Sequence, residues 1–318
     1  MDKGIIVTTL SGGVSVFETV LTIASWAKLP DPKPQLMLAL DPVADDPGEI
    51  IPSVRSLAEG YGAGVIENPG QGFDQDLVHC LSFLALRQVD DVPFLVIAPG
   101  MIFHGVSDLT ATEFTASKDI LPHWPKEFLY GPKRAEIWRQ VFDAASEDIK
   151  RATDPSHHEN SWRHWPELDG MIVAGPSATT FGACFAEHAQ HILDQPPNSL
   201  ETQQPRKNLH RIVLPLVLVE LEAEIQKATD LSRHALHVQE FRRLAYFYSS
   251  APEDALAHFE AAVSDNKFKK ILKLHEPYKR LIYQGKGRDL RDRFYEEGGQ
   301  PPRRLMRRLR RHTNWWVR

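Results

Sequence analysis

Residues 94–103 read FLVIAPGMIF, an apolar run that a single Pro-Gly pair interrupts. The four residues Phe94–Ile97 predict a buried strand, because a short continuous apolar run bounded by turn residues is typical of one. Pro99-Gly100 predicts a turn, after which the apolar run resumes. Together with the units of strand, turn and helix that precede it, this strand indicates an α/β domain with a central sheet.

Three earlier segments repeat the order of strand, turn and helix. Buried strands are predicted at Ile5–Thr9, Leu36–Leu40 and Val65-Ile66. Each precedes a segment with apolar residues at helical spacing, namely residues 14–26, 46–61 and 73–89. Parallel neighbours need crossover connections, so this alternation predicts a mostly parallel central sheet with helices on both faces.

The second half of the chain is less regular. Residues 171–174 predict another strand, after Asp169-Gly170, and residues 178–193 predict a helix. The pattern from 210 to about 262 is helical, residues 269–274 predict a last strand, and the remainder is basic and helical. We therefore divide the chain into a domain at 1–225 and a helical, basic C-terminal extension at 226–318 that packs on it.

Composition indicates a soluble globular protein. Of 318 residues, 42% are apolar and 25% are charged, and no apolar run reaches the roughly 18–20 residues that a bilayer span needs. The N-terminus leads directly into a strand, so we expect no signal peptide and a cytoplasmic location. Cys80 and Cys184 then predict two reduced, buried thiols.

The net charge of −5 conceals a basic C-terminus. Residues 301–318 hold seven arginines and no acid, and Trp315-Trp316 lie near their end. This tail predicts an amphipathic helix that docks on the acidic remainder of the chain, or one that makes peripheral contact with an anionic surface. We expect no DNA partner.

In order, these pieces resemble the GT-A class of glycosyltransferases, the nucleotide-diphosphosugar transferase fold, over roughly the first 225 residues. The first strand of that family ends in a Thr-rich turn against the nucleotide, here Thr8-Thr9-Leu10-Ser11. Its second strand ends in an acid that contacts the uracil or ribose, here Asp41. The resemblance implies that these residues bind the nucleoside of a UDP-sugar.

Further motifs extend the resemblance. An Asn-x-Gly segment before a helix faces the nucleotide in the family, and here it contains Asn68, Gly70 and Asp74. A later strand with Asp-Gly often lines the acceptor site, and Asp169-Gly170 is similar. The resemblance implies that Asp169 is the catalytic base, because a base must lie within hydrogen-bond reach of the attacking hydroxyl. Turn formation is the competing interpretation for both Asp41 and Asp169.

The chain departs from the family at the fourth strand. Ala98 and Gly100 stand where the Asp-x-Asp motif holds a divalent metal on the diphosphate, and neither side chain can bind a hard cation. We therefore expect no metal there. Lys279 and Arg280 are candidates to neutralise the diphosphate instead, as in members of the fold that work without metal.

Two clusters that contain histidine do not predict a metal site. His157, His158 and Glu159 fit no zinc spacing and predict a solvated loop. The pair His188 and His191 is more typical of helix packing than of a metal site.

The resulting hypothesis is a glycosyltransferase that moves a sugar from a UDP-linked donor to a hydroxyl of a glycan or other acceptor, independently of metal. Two alternatives remain open: a catalytically inactive binding or assembly protein of the same fold, and another nucleotide-dependent α/β enzyme. The lack of G-x-G-x-x-G counts against the last.

Overall fold

The computed structural model describes residues 4–42, 44, 46, 49–73, 77–103, 113–118, 134–145, 172–198, 200, 209–227, 235–237 and 240–295. Within these ranges, seven strands form one sheet in the order β3-β2-β1-β4-β7-β6-β8, and two more form a small sheet, β5-β9. The strands are β1 (Ile5–Leu10), β2 (Gln35–Leu40), β3 (Gly64–Ile66), β4 (Phe94–Ile97), β5 (Met101–Phe103), β6 (Thr115–Lys118), β7 (Ile172–Gly175), β8 (Glu224–Lys227) and β9 (Ala235–His237).

The sheet is mostly parallel, as predicted. β1 pairs in parallel with β2 and β4, and β2 with β3. β7 is the exception, since it runs antiparallel to both β4 and β6. The first four strands share the order β3-β2-β1-β4 with doubly wound dinucleotide-binding sheets, but those sheets continue from β4 with parallel strands. Here the antiparallel β7 lies beside β4 instead, which counts against the alternative of a Rossmann-type enzyme.

Helices cover both faces. They are α1 (Ser15–Ala27), α2 (Ile50–Gly60), α3 (Leu81–Ala85), α4 (Arg134–Ala144), α5 (Ala178–Asp194), α6 (Leu209–Glu220), α7 (Glu240–Ser250), α8 (Glu253–Val263), α9 (Asn266–Leu272), α10 (Glu276–Tyr278) and α11 (Lys286–Phe294). A π-helical turn, Lys279–Tyr283, continues α10, and 3₁₀ turns at Val78–Cys80 and Leu86–Gln88 flank α3.

Alternate residues of β1 point into two separate cores, as the period of a strand requires. Ile6 and Leu10 pack with α1, α2 and the C-terminal helices α7 to α11. Ile5 and Val7 pack with α3, α4, α5 and α6 on the other face. The helical character predicted for the C-terminal region is thus confirmed for residues 240–294. The boundary at residue 225 stays a prediction.

Three predicted elements differ from the structure. The helix expected at 73–89 is shorter, covering Val78–Gln88 as α3 and its two 3₁₀ turns. The continuous helix expected at 210–262 breaks after α6, where Glu222 adopts a left-handed φ of 51° and the chain enters β8. Pairing of β8 with β6 overrides the helical pattern there.

The strand predicted at 269–274 is instead part of helix α9. Phe268, Ile271 and Leu272 are all buried, and their spacing is that of one helix face. The Asp265 side chain accepts a hydrogen bond from the Lys267 N–H across 2.9 Å and caps this helix. The apolar residues of this segment therefore form the buried face of a helix and not one face of a strand.

Candidate functional site

The carboxyl ends of β1, β2, β3 and β4 meet at one edge of the sheet. Leu10 lies opposite Leu40, and the Asp41 N–H extends this ladder by donating to the Leu10 carbonyl across 3.0 Å. Val7 pairs with Val96, so β4 ends beside β1. Ligands of open α/β sheets gather at this edge.

The nucleoside candidates on β1 and β2 lie at this edge but are largely buried. Thr9, Ser11 and Asp41 each expose less than a tenth of their surface. Thr8 is fully buried, and its hydroxyl has no hydrogen-bond partner among the described residues. The structure thus brings Ser11 and Asp41 together, whereas Thr8 points into the core on the α1 side of the sheet.

The Ala98-Pro99-Gly100 turn is fixed to helix α1. Gly100 has a φ of 88°, a left-handed conformation that glycine adopts without steric cost. Its N–H donates to the Thr22 hydroxyl across 3.0 Å, and the Phe103 N–H donates to the Ser25 hydroxyl at the same distance. Thr22 and Ser25 are buried one helical turn apart, so α1 holds β5 at both of its ends.

Asn68 follows β3 at the same edge and is exposed. It has a left-handed φ of 51°, and its carbonyl accepts from the Gln71 N–H across 3.0 Å and from Gln88 Nε2 across 3.1 Å. These bonds hold the predicted Asn-x-Gly segment as a turn. Asp74, predicted with it, lies outside the described residues.

Lys279 and Arg280 share one carboxylate. Glu276 accepts from Lys279 Nζ across 3.0 Å and from Arg280 Nε across 2.7 Å. These two hydrogen bonds, that from Lys279 first, lower the pKa of the Glu276 carboxyl. All three side chains remain more than a third exposed, so a ligand can reach the two cations.

This C-terminal segment lies beside the N-terminal end of α1. The His275 ring stacks on Phe17 with 5.0 Å between centroids, and Phe17 is in the first turn of α1. Burial lowers the pKa of His275, so the neutral ring is favoured in this contact. Because α1 follows the turn after β1, His275 lies near the edge formed by the strand ends, and Lys279 and Arg280 follow it by about one helical turn.

Asp90 and Asp91 precede β4 and therefore lie at the opposite end of that strand from the candidate site. Asp91 accepts from the Ser177 hydroxyl across 2.6 Å and from the Thr179 N–H across 3.2 Å, at the start of α5. These hydrogen bonds lower the pKa of Asp91. Asp91 therefore caps a helix rather than serving the strand-end site.

Asp169, the arginine tail at 301–318 and the cluster of His157, His158 and Glu159 also lie outside the described residues. Conversely, the sequence prediction missed Thr22, Ser25 and the pair Phe17 and His275. Thr22 and Ser25 left a signal, since hydroxyl residues at i,i+3 in an otherwise apolar helix indicate buried acceptors or donors for backbone groups. Nothing in the sequence links Phe17 to His275.

Comparison with known proteins identifies the family. Residues 7–222 match the family model described as the Rhodobacterales glycosyltransferase domain. The chain belongs to this glycosyltransferase family. The match covers more than half of the chain and nearly all of the region that resembles GT-A enzymes, so that resemblance is confirmed. A comparison with curated protein sequences gives no match.

A comparison with solved structures also matches two structures of LgtC and one of GlyE. One LgtC structure is of an active-site mutant, with TM-score 0.35, 12% identity, and coverage of 70% of this chain and 72% of that one. The other is described as galactosyltransferase LgtC with donor and acceptor sugar analogs, with TM-score 0.33, 13% identity, and coverage of 66% and 70%. The glycosyltransferase GlyE of Streptococcus pneumoniae TIGR4 has TM-score 0.42, 11% identity, and coverage of 94% and 66%.

The described helices of this glycosyltransferase include no candidate for a membrane span. Among the described residues, none is both long enough and apolar enough to cross a bilayer.

Proposed function

We propose that this protein transfers a sugar from a UDP-linked donor to an acceptor hydroxyl without a divalent metal on the diphosphate. The observation that carries the proposal is the edge where Ser11, Asp41 and the Ala98–Gly100 turn end neighbouring strands. A glycosyltransferase family supplies the reaction class. Metal independence is proposed because Ala98 and Gly100, at the end of β4, offer no carboxylate to a metal ion.

In the proposed reaction, the acceptor oxygen attacks the anomeric carbon and the bond from that carbon to the diphosphate oxygen breaks. UDP leaves with the electron pair of that bond, and Asp169 takes the proton of the attacking hydroxyl. Asp41 and Ser11 hold the nucleoside, together with Thr9, Asn68 and Asp74, while Gly100 leaves room for the diphosphate beside the turn. Thr8, predicted with them, has no part in the proposal because it is fully buried in the core. Stabilising the charge that develops on the leaving group is usually the largest part of such catalysis.

Lys279 and Arg280 provide that charge in the proposal. Their exposure supports it, as does the contact of His275, about one helical turn earlier, with the first turn of α1. Phosphate oxygens accept from guanidinium and ammonium groups more strongly than from neutral donors. Glu276 would hold the two cations in position until a diphosphate competes for them.

One observation favours the alternative of a catalytically inactive binding protein. Both candidate cations already pair with Glu276, and the two positions of the Asp-x-Asp motif carry no acid. Such a protein would bind a nucleotide weakly or not at all, and would act through a partner.

Calorimetry with UDP, GDP and CMP, each with and without Mn²⁺, tests the donor. We expect UDP to bind best, with an affinity that Mn²⁺ leaves unchanged. Asp41→Asn should weaken UDP binding, while Asp143→Asn, an exposed acid on α4 on the other face of the sheet, should not. Absence of binding by any nucleotide contradicts the proposal, and a strict requirement for Mn²⁺ contradicts metal independence.

A comparison of UDP with uridine isolates the diphosphate. Lys279→Ala with Arg280→Ala should weaken UDP binding by about 10-fold or more, because each charge-assisted hydrogen bond contributes roughly 1.5–3 kcal/mol. Uridine binding should be unaffected. If UDP binds but no UDP-sugar is hydrolysed or transferred to any acceptor, the proposed transfer activity is contradicted.

A further inference from the structure

Three potential metal ligands converge between helices α5 and α6. Cys184 and His188 are one helical turn apart on α5, and both are buried. Glu220 is the last residue of α6, which packs against α5 in the same core. Within the described residues, one ligand atom from each of the three lies within 4.8 Å of the others.

Two of these groups are already in contact. His188 Nε2 and Glu220 Oε2 are 2.6 Å apart. Nine-tenths of the His188 side chain is buried, whereas 44% of the Glu220 side chain is exposed. The cluster therefore has a buried side, formed by the thiol and the imidazole, and a side open to solvent at the carboxylate.

The spacing suits a tetrahedral ion. Zinc binds sulfur, nitrogen and oxygen at about 2.0–2.3 Å, which places two ligands of a tetrahedral ion roughly 3.4–3.6 Å apart. The imidazole and the carboxylate, at 2.6 Å, are closer than this, and the thiol of Cys184 lies within 4.8 Å of both. Small rotations of the partly exposed Glu220 side chain would open the needed space.

From this arrangement we infer that Cys184, His188 and Glu220 form a Zn²⁺ site that joins α5 to the end of α6. A thiolate with an imidazole selects zinc over magnesium, calcium or manganese, which prefer oxygen ligands. With three protein ligands, the fourth position takes a water on the open side. The site goes beyond the proposed transferase function, since α5 and α6 cover the face of the sheet opposite α1.

The bound ion would stabilise the contact between the two helices. Helix α5 follows β7, and α6 precedes β8, so a bond between the helices ties together the half of the sheet that contains the reversed strand. Metal binding to the folded chain raises its stability by mass action. The melting temperature should therefore rise with Zn²⁺ concentration and not with Mg²⁺ concentration.

Calorimetric titration of Zn²⁺ into the full chain, after treatment with a chelator, tests the site. We expect one saturable site per chain. Co²⁺ should give the absorption of a tetrahedral complex with a thiolate-to-cobalt charge-transfer band. Cys184→Ser and His188→Gln should each weaken Zn²⁺ binding at least about 10–100-fold, the loss that even residues behind the ligands typically cause.

Matched variants separate this site from other binding. Cys80→Ser removes the other buried thiol, His191→Gln the next histidine of α5, and Glu187→Gln an exposed acid of α5. All three should bind Zn²⁺ as the unmodified chain does. If Cys184→Ser or His188→Gln fails to fold, Glu220→Gln at the exposed ligand gives the same test. Absence of saturable binding overturns the inference, as does full binding by the variants at the three ligands.

Discussion

The Gly100 N–H and the Thr22 side-chain oxygen form a buried hydrogen bond across 3.0 Å, 78 residues apart in the chain. Thr22→Val removes the acceptor and leaves the amide without a partner in the core. We expect the free energy of unfolding to fall by about 1–3 kcal/mol, measured by urea denaturation. Thr22→Ser keeps the hydroxyl and should cost less than Thr22→Val. The reverse order would show that the methyl group matters more than the hydrogen bond.

Thr8 and Thr19 offer a comparison of two fully buried threonines. Thr8 has no hydrogen-bond partner within the described part of the chain, whereas the Thr19 hydroxyl donates to the Thr9 and Ser15 carbonyls at 3.0 Å. Thr8→Val should raise the free energy of unfolding by about 1 kcal/mol, because an unsatisfied polar atom leaves the core. Thr19→Val should lower it by about 1–2 kcal/mol. Equal losses in the two variants, measured by urea denaturation, would contradict this assignment.

Gly287 in α11 lies against the ring of Tyr248. A Cβ at residue 287 would come within 2.5 Å of that buried ring. Gly287→Ala should therefore lower the free energy of unfolding by about 1–3 kcal/mol through overpacking. The control is Gly60→Ala at the end of α2, where a Cβ meets nothing within 4 Å. Thermal melts that rank Gly287→Ala at or above Gly60→Ala would refute the expected crowding.

The Tyr61 hydroxyl donates to Asp265 Oδ2 across 2.7 Å and links α2 to the cap of α9. Burial, and then this hydrogen bond, raise the pKa of Tyr61 to about 12. Since the unfolded chain loses that proton first, the stabilisation is complete below about pH 10 and is lost as the pH rises towards 12. Ultraviolet titration should show one fewer tyrosinate near pH 12 in Tyr61→Phe. A missing step near pH 10 instead would contradict the raised pKa.

The same contact predicts the acid side of the stability profile. The hydrogen bond from Tyr61, and then that from the Lys267 N–H, lower the pKa of Asp265. The stabilisation of the folded chain by ionised Asp265 is therefore complete above the ordinary pKa of 3.8. It is lost as the pH falls through the lower pKa that Asp265 has in the folded chain. Asp265→Asn should flatten that part of the profile.

The sequence predicts the first half of the fold because its signals are local. The apolar runs at Ile5–Thr9 and Leu36–Leu40 end in turn residues, and parallel order follows from the helices between them. The direction of β7 is not local, since it depends on the path of residues 104–171. The strand predicted at residues 269–274 is wrong because so short a mixture of lysines and apolar residues fits a helix as well as a strand. The burial of Phe268, Ile271 and Leu272 shows which of the two periods applies.

Part of the candidate site could likewise be predicted from local signals, and part could not. Ser11 and Asp41 could be placed at one edge because both follow buried strands. The partner of Gly100 lies on a helix far earlier in the chain, and His275 meets Phe17 across more than 250 residues. Contacts at such separations leave no periodicity, so the sequence cannot reveal them.

The small sheet of β5 and β9 has a consequence for how the chain folds during synthesis. β5 leaves the ribosome about 130 residues before β9, and the helices that complete the α1 core come later still. At roughly 5–20 residues per second, that interval lasts on the order of 10 s. Throughout it, the nascent chain carries an unpaired strand edge and an uncovered apolar helix face, the features by which folding intermediates aggregate. Dependence on a holding chaperone during translation would follow from this late closure.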